Sequence, residues 1–123
     1  MPANKTILTV DDSATMRDLL RVSLAKLGYR VIEAADGAEG LATLQSDRAD
    51  LIITDINMPR LDGIGFIAGV RGDTRHRTIP ILVLTTETDP DLKDRARRAG
   101  ATGWIVKPFD PEKLAEAIRR VTV

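Results

Sequence analysis

Three aspartates, two threonines and one lysine sit where they could do chemistry together. Asp11-Asp12 follow the apolar run Ile7–Val10, and Asp55 follows Leu51–Thr54. Thr85-Thr86 close the run Ile79–Leu84, and Lys107-Pro108 follow Gly103–Val106. A further run, Val31–Ala34, ends in Ala34-Ala35 and offers no reactive group. Taken singly, each has a plain structural explanation. An Asp after a strand caps a helix, a Thr suits β structure, and a Lys is solvated surface. Together they complement one another. Ionised carboxylates at about 5 Å and an effective dielectric of about 20 repel by on the order of 3 kcal/mol per pair. One lysine offsets only part of this. A hard divalent cation would offset the rest, and oxygen ligands with room for water suit Mg²⁺. Lys107 can place a compact positive charge on a phosphate, and Thr85 can donate a hydroxyl hydrogen bond. Asp55 stands alone after its run and is the candidate nucleophile, with Asp11 and Asp12 as candidate metal ligands. The set predicts metal-assisted acceptance of a phosphoryl group.

Such a set needs a scaffold that brings strand ends to one rim. The apolar runs are β-branched and continuous rather than alternating, which suits parallel strands covered on both faces. Between them lie helical periods. Met16, Leu19, Leu20, Ser23, Leu24 and Leu27 predict one apolar helix face, ended by Gly28. A second helix opens at Asp36, with Glu39 completing a capping box, and turns Leu41 and Leu44 inward. A third opens near Asp62 and buries Phe66, Ile67 and Val70. Asp89-Pro90 and Asp110-Pro111 each read as a cap followed by proline at the first helical position. Leu92, Ala96 and Ala99 face inward on the fourth helix, and Leu114, Ala117, Ile118 and Val121 on the fifth. The expected fold is α/β, a doubly wound five-stranded parallel sheet of βα units forming one domain over residues 1–123. Ligands in such sheets bind outside the carboxyl ends of the strands, where the polar residues fall.

Composition narrows the classes. Eighteen basic residues balance eighteen acidic ones, against general binding to nucleic acid or an anionic membrane. Cysteine is absent and histidine occurs once, at His76, which excludes disulfide scaffolds, thiolate chemistry and multi-histidine metal sites. The stretch Met1–Thr6 lacks a signal peptide's apolar region, and no apolar run could span a bilayer, so a cytoplasmic location is expected.

The joint pattern resembles the response-regulator receiver domain of two-component signalling. The matching segments are Val10-Asp11-Asp12-Ser13, Thr54-Asp55-Ile56-Asn57-Met58-Pro59-Arg60-Leu61-Asp62-Gly63, Leu84-Thr85-Thr86-Glu87 and Lys107-Pro108-Phe109. They span essentially the whole chain. Within the family it is most similar to stand-alone chemotaxis regulators of CheY type, on Ile81–Glu87 and Gly100–Phe109. The resemblance implies the flavodoxin-like strand order 2-1-3-4-5, for which CheY is itself a standard example. It implies phosphorylation of Asp55 by a CheA-like histidine kinase, with Mg²⁺ held by Asp12, Asp55 and the backbone carbonyl of Asn57, and by Asp11 largely through water. It implies that Thr85 and Lys107 contact the phosphoryl oxygens, that the bond before Pro108 is cis, and that Asn57 and Glu87 tune hydrolysis. Thr85 moving toward the phosphoryl group would let Trp104 turn inward and switch the face made by the fourth helix, fifth strand and fifth helix. Implied partners are a flagellar motor switch protein, a phosphatase or a phosphate relay, with a resting monomer. Two departures stand out: Trp104 replaces the more usual Tyr or Phe, and Thr86 replaces a smaller residue beside the site.

Other signals are weaker. Gly63-Ile64-Gly65-Phe66-Ile67-Ala68 matches a dinucleotide fingerprint, but residues 57–62 intervene after the strand, so no organic cofactor is expected. Arg71, Arg75 and Arg77, then Lys93, Arg95, Arg97 and Arg98, then Arg119-Arg120 read as solvated faces, and His76 as a surface loop residue. A metal-dependent phosphatase working through aspartyl phosphate is the rival class. It is disfavoured because Asp55-Ile56-Asn57 lacks a second acid and no cap domain is expected. A receiver in a non-chemotaxis phosphorelay is the nearer alternative. Apart from its own phosphorylation and dephosphorylation, the chain is not expected to be an enzyme.

Overall fold

The computed structural model describes residues 5–122, so most of the stretch Met1–Thr6, on which the expected lack of a signal peptide rests, lies outside the described residues. The continuous apolar runs become β1 (Thr6–Val10), β3 (Leu51–Thr54) and β4 (Ile81–Thr85), each buried along its length. The sheet is wholly parallel, in the order β2-β1-β3-β4-β5, with β2 at Arg30–Ala34 and β5 at Gly103–Val106. β2 and β5 are only partly buried, unlike their expected burial on both faces. They are the sheet's edges, and each lacks a neighbour on one side.

Five helices cover the two faces: α1 (Ala14–Lys26), α2 (Gly37–Ser46), α3 (Gly63–Gly72), α4 (Pro90–Ala99) and α5 (Pro111–Val121). Each begins where a short polar side chain takes a free backbone N–H. Asp36 accepts from Glu39, Asp62 from Gly65, Asp89 from Asp91 and Asp110 from Glu112, while Ser13 caps α1 through Met16. Glu39 does reach back, but to the N–H of Ala35, one residue before the cap. One core gathers Leu8, Ile52, Val83, Phe66 and Ala96, and the other Ile7, Leu20, Leu24, Leu84, Leu114 and Ile118.

Four further expectations need correction. β4 starts at Ile81, not Ile79, because Pro80 has no N–H to give the ladder. On α1 only Leu20 and Leu24 are buried, while Leu19 is 52% exposed and Leu27 36%. The row through Met16, Leu20 and Leu24 faces the sheet and Leu19 lies on its flank. His76 is not a surface loop residue: it lies on a short 3-10 turn, Thr74–His76, with its side chain 11% exposed. Arg71 is no solvated cation either. Its guanidinium donates to the carbonyls of Gly100, His76 and Arg77, and burial lowers its pKa.

Candidate functional site

Sheet register builds the site. Val10 lies level with Ala34 and Thr54, Thr54 with Val83, and Thr85 with Val106. The ladder then runs one residue past the strands: Asp11 N–H bonds Ala34 O, Asp55 N–H bonds Val10 O, and Lys107 N–H bonds Thr85 O. Asp11, Asp55 and Lys107 are therefore fixed by backbone hydrogen bonds before their side chains make any contact. The Lys107–Pro108 bond is cis.

Lys107 Nζ lies 2.8 Å from Oδ2 of Asp11 and 2.8 Å from Oδ2 of Asp55. The three side chains are 10%, 3% and 11% exposed. Burial alone would lower the ammonium's pKa, but the hydrogen bonds to Asp11 and Asp55 outweigh it and the pKa is raised. The other oxygens are used too. Asp11 Oδ1 accepts from Ser13 N–H at 2.9 Å, and Asp55 Oδ1 from Ile56 N–H at 2.6 Å. Asp12 differs: it is exposed and, among the described residues, its carboxylate has no hydrogen-bond partner. Asp11, Asp12 and Asp55 each offer an oxygen within 4.8 Å of the others. Hard oxygens at that spacing, with one carboxylate open to water, fit a hydrated divalent cation.

Thr85 is fully buried, and its hydroxyl accepts from the N–H of Glu87 at 3.3 Å. Asn57 donates from its side-chain amide to the carboxylate of Glu87, joining the loops after β3 and β4. Thr86 is exposed. Trp104 stands apart from the carboxylates. It is half-buried on β5 opposite Val83 and lines a groove of about 340 Å³ with Pro90, Lys93, Arg97 and Thr102.

The dinucleotide-like glycines play another part. Gly63, Gly65 and Ala68 lie inside α3, and Asp62 already occupies its N-terminus. At Gly63 a Cβ would stand 2.2 Å from the carbonyl oxygen of Asp55, so glycine is what lets α3 close against the end of β3. Arg17 was not singled out in the sequence. Its guanidinium donates to the backbone carbonyl of Asp11 and pairs with Glu33 at 3.4 Å. No local pattern signals a contact made across a helix start and a neighbouring strand.

Comparisons with known proteins agree with this geometry. Residues 7–119 match the response regulator receiver domain family. The chain is 40% identical over 117 residues to chemotaxis protein CheY1 of Helicobacter pylori, covering 94% of each. It superposes on Vibrio cholerae chemotaxis protein CheY4 with a TM-score of 0.92 at 46% identity, covering 97% of this chain and 99% of that one. The receiver domain of a Pseudomonas aeruginosa sensor histidine kinase, solved with magnesium in its active site cleft, matches at TM-score 0.90 and 29% identity, covering 98% of each chain. The chain belongs to the response-regulator receiver domains of two-component signalling. Within that family it is CheY-like. Among the described residues no helix is long and apolar enough to cross a membrane.

Proposed function

We propose that the protein is a phosphorylation-switched chemotaxis regulator that takes a phosphoryl group from a CheA-like histidine kinase onto Asp55. The observation that carries this reading is the Lys107 ammonium held between Asp11 and Asp55, beside the open carboxylate of Asp12. Asp55 Oδ2 attacks the phosphorus of a phosphohistidine, the P–N bond breaks, and the departing imidazole keeps the electron pair and regains a proton from solvent. Lys107 then exchanges its bond to Asp55 for one to a phosphoryl oxygen, and Thr85 donates its hydroxyl hydrogen to another. Asp12, Asp55 and the Asn57 carbonyl would hold Mg²⁺, with Asp11 acting through water; the cation supplies neutralisation of developing phosphoryl charge.

Phosphorylation adds charge and strong acceptors at a rim from which β4 and β5 lead away. Thr85 moving toward the phosphoryl group leaves room for Trp104, and the α4-β5-α5 face changes its affinity for a partner. The partner that reads this face is a flagellar motor switch protein, or the chain serves as a phosphate relay or sink; the regulator itself is cytoplasmic and monomeric at rest. Asn57 and Glu87, joined across the mouth, tune hydrolysis of the acyl phosphate. Apart from catalysing its own phosphorylation, for which a small acyl phosphate can also serve as donor, and its own dephosphorylation, the chain is not an enzyme.

The test is intact-protein mass after brief incubation with acetyl phosphate and Mg²⁺, beside Asp55→Asn. One added phosphoryl group, absent from the variant and absent without metal, is expected. An unmodified wild-type chain would refute phosphoryl acceptance.

A further inference from the structure

The loop that carries Asn57 contains a turn of positive φ at Arg60, whose side chain pairs with Asp36 outside the site. Leu61 N–H bonds the carbonyl of Pro59 at 2.7 Å, closing a three-residue turn on Arg60. Arg60 has φ +67°, the only positive value at a non-glycine among the described residues. A γ-turn of positive φ is the rarer and more strained of the two kinds. Glycine would adopt it freely, yet the chain places arginine there, so something other than local preference holds the turn. Arg60 Nε and Nη2 lie 2.7 and 2.6 Å from Oδ2 of Asp36. Asp36 is 8% exposed in its side chain, and its Oδ1 caps α2 through the N–H of Glu39 at 2.8 Å. Beside the pair, Gly37 N–H donates to Leu61 O at 3.2 Å, and a Cβ on Gly37 would stand 2.5 Å from that oxygen. The other end of the loop is tied by Gly63 N–H to Ile56 O at 2.8 Å. The segment from Asn57 to Asp62 is thus stretched between the end of β3 and the start of α2.

We infer that Asp36 and Arg60 are positioning residues for the divalent cation: their ion pair holds the strained turn and thereby fixes where the Asn57 carbonyl stands beside Asp55. Neither touches the carboxylate cluster, and the pair acts only through the backbone of the loop. This inference rests on the receiver reading, which assigns that carbonyl to Mg²⁺.

The test is thermal melting of the full chain across a Mg²⁺ titration, with the rate of phosphorylation by acetyl phosphate as a second readout. Asp36→Asn keeps a good helix cap and removes the charge. Arg60→Gln removes its partner at an exposed position, and carries the test if Asp36→Asn melts too low to read. Each variant should raise the half-saturating Mg²⁺ about tenfold, the size of effect when a group orienting metal ligands is lost. The double variant should bind no more weakly than the weaker single one, since both remove the same contact. Arg60→Lys should recover most of the affinity. Wild-type affinity in both single variants, or fully additive losses, would overturn the inference while leaving the receiver reading intact. A wild-type chain whose melting ignores Mg²⁺ would overturn both.

Discussion

Lys107 Nζ stands 2.8 Å from Oδ2 of Asp55 and the same distance from Oδ2 of Asp11, so one cation from an edge strand ties together two carboxylates from the sheet's centre. The arrangement gives the protein a resting state in which carboxylate repulsion is already partly neutralised. A phosphoryl group or a metal must compete with contacts already made.

Lys107→Met leaves Asp11 and Asp55 facing each other without their shared donor. The metal-free protein should lose about 2 kcal/mol in urea unfolding, the range for hydrogen bonds to charged groups. Saturating Mg²⁺ should restore part of that loss. An unchanged midpoint without metal would mean that the ammonium contributes nothing to holding the rim.

Asp12→Ala should behave in the opposite way. Asp12 is exposed and unbonded among the described residues, yet offers an oxygen within 4.8 Å of those of Asp11 and Asp55, so its loss relieves repulsion and metal-free stability should rise by about 1 kcal/mol. The rise in melting temperature with Mg²⁺ should vanish. A variant that still responds fully would remove Asp12 from the ligand set.

Two glycines of α3 separate close approach from mere flexibility. A Cβ on Gly63 would come 2.2 Å from the Asp55 carbonyl oxygen and 2.7 Å from Ile56 Cα, both backbone atoms that cannot step aside. Gly63→Ala should cost about 3 kcal/mol, the upper range for overpacking. Gly72 has nothing within 4 Å of its would-be Cβ. Gly72→Ala should stabilise by about 0.5 kcal/mol by narrowing the unfolded ensemble. Equal effects at the two positions would refute the distinction.

Acid stability should depend on Asp73. The Arg75 side chain, then the Arg75 N–H, hold its carboxyl at about 2, below the ordinary 3.8. The unfolded chain therefore takes up this proton first as pH falls. The contribution is complete above pH 3.8 and is lost as pH falls to about 2. Asp36 is shifted the same way, by the Glu39 N–H and then by Arg60. Lys107 works in the opposite sense: its raised pKa gives stability that is lost only as pH rises past the ordinary ammonium range. Urea unfolding of Asp73→Asn should decline less steeply than wild type between those acid limits. Parallel acid limbs would count against the pairing.

The parts of this protein that follow chain-local rules were legible in the sequence. Asp36, Asp62, Asp89 and Asp110 cap helices because a short acceptor must meet orphan N–H groups a fixed distance along the chain. The rim could be read because parallel strands place their carboxyl ends together. What the sequence hid is contact between elements. Arg71 looks like any solvated arginine until α3 is packed beside the end of α4, where it caps the Gly100 carbonyl. Leu19 fits the apolar period of α1, yet the helix's rotation on the sheet leaves it half in water. Asn57 and Glu87 were picked out only by resemblance, and their bond is set by how two loops meet.

Trp104 gives the most direct view of the proposed switch, since it is the chain's single tryptophan. It sits half-buried on β5, level with Val83 and next to the strand that ends in buried Thr85. The neighbouring groove of about 340 Å³ leaves room on one side of the ring. If Thr85 moves toward a phosphoryl group on Asp55, the wall beside β5 changes and the indole changes environment. Acetyl phosphate with Mg²⁺ should therefore alter the emission of wild type. Asp55→Asn should show no change beyond that of Mg²⁺ alone. Thr85→Ala should still gain the phosphoryl mass while its emission stays near the resting value, because the acceptor remains and the moving hydroxyl is gone. A fully phosphorylated wild type with unchanged emission and unchanged quenching by iodide would mean that Trp104 is a fixed part of the β5 surface, and that any partner reads another feature of the face.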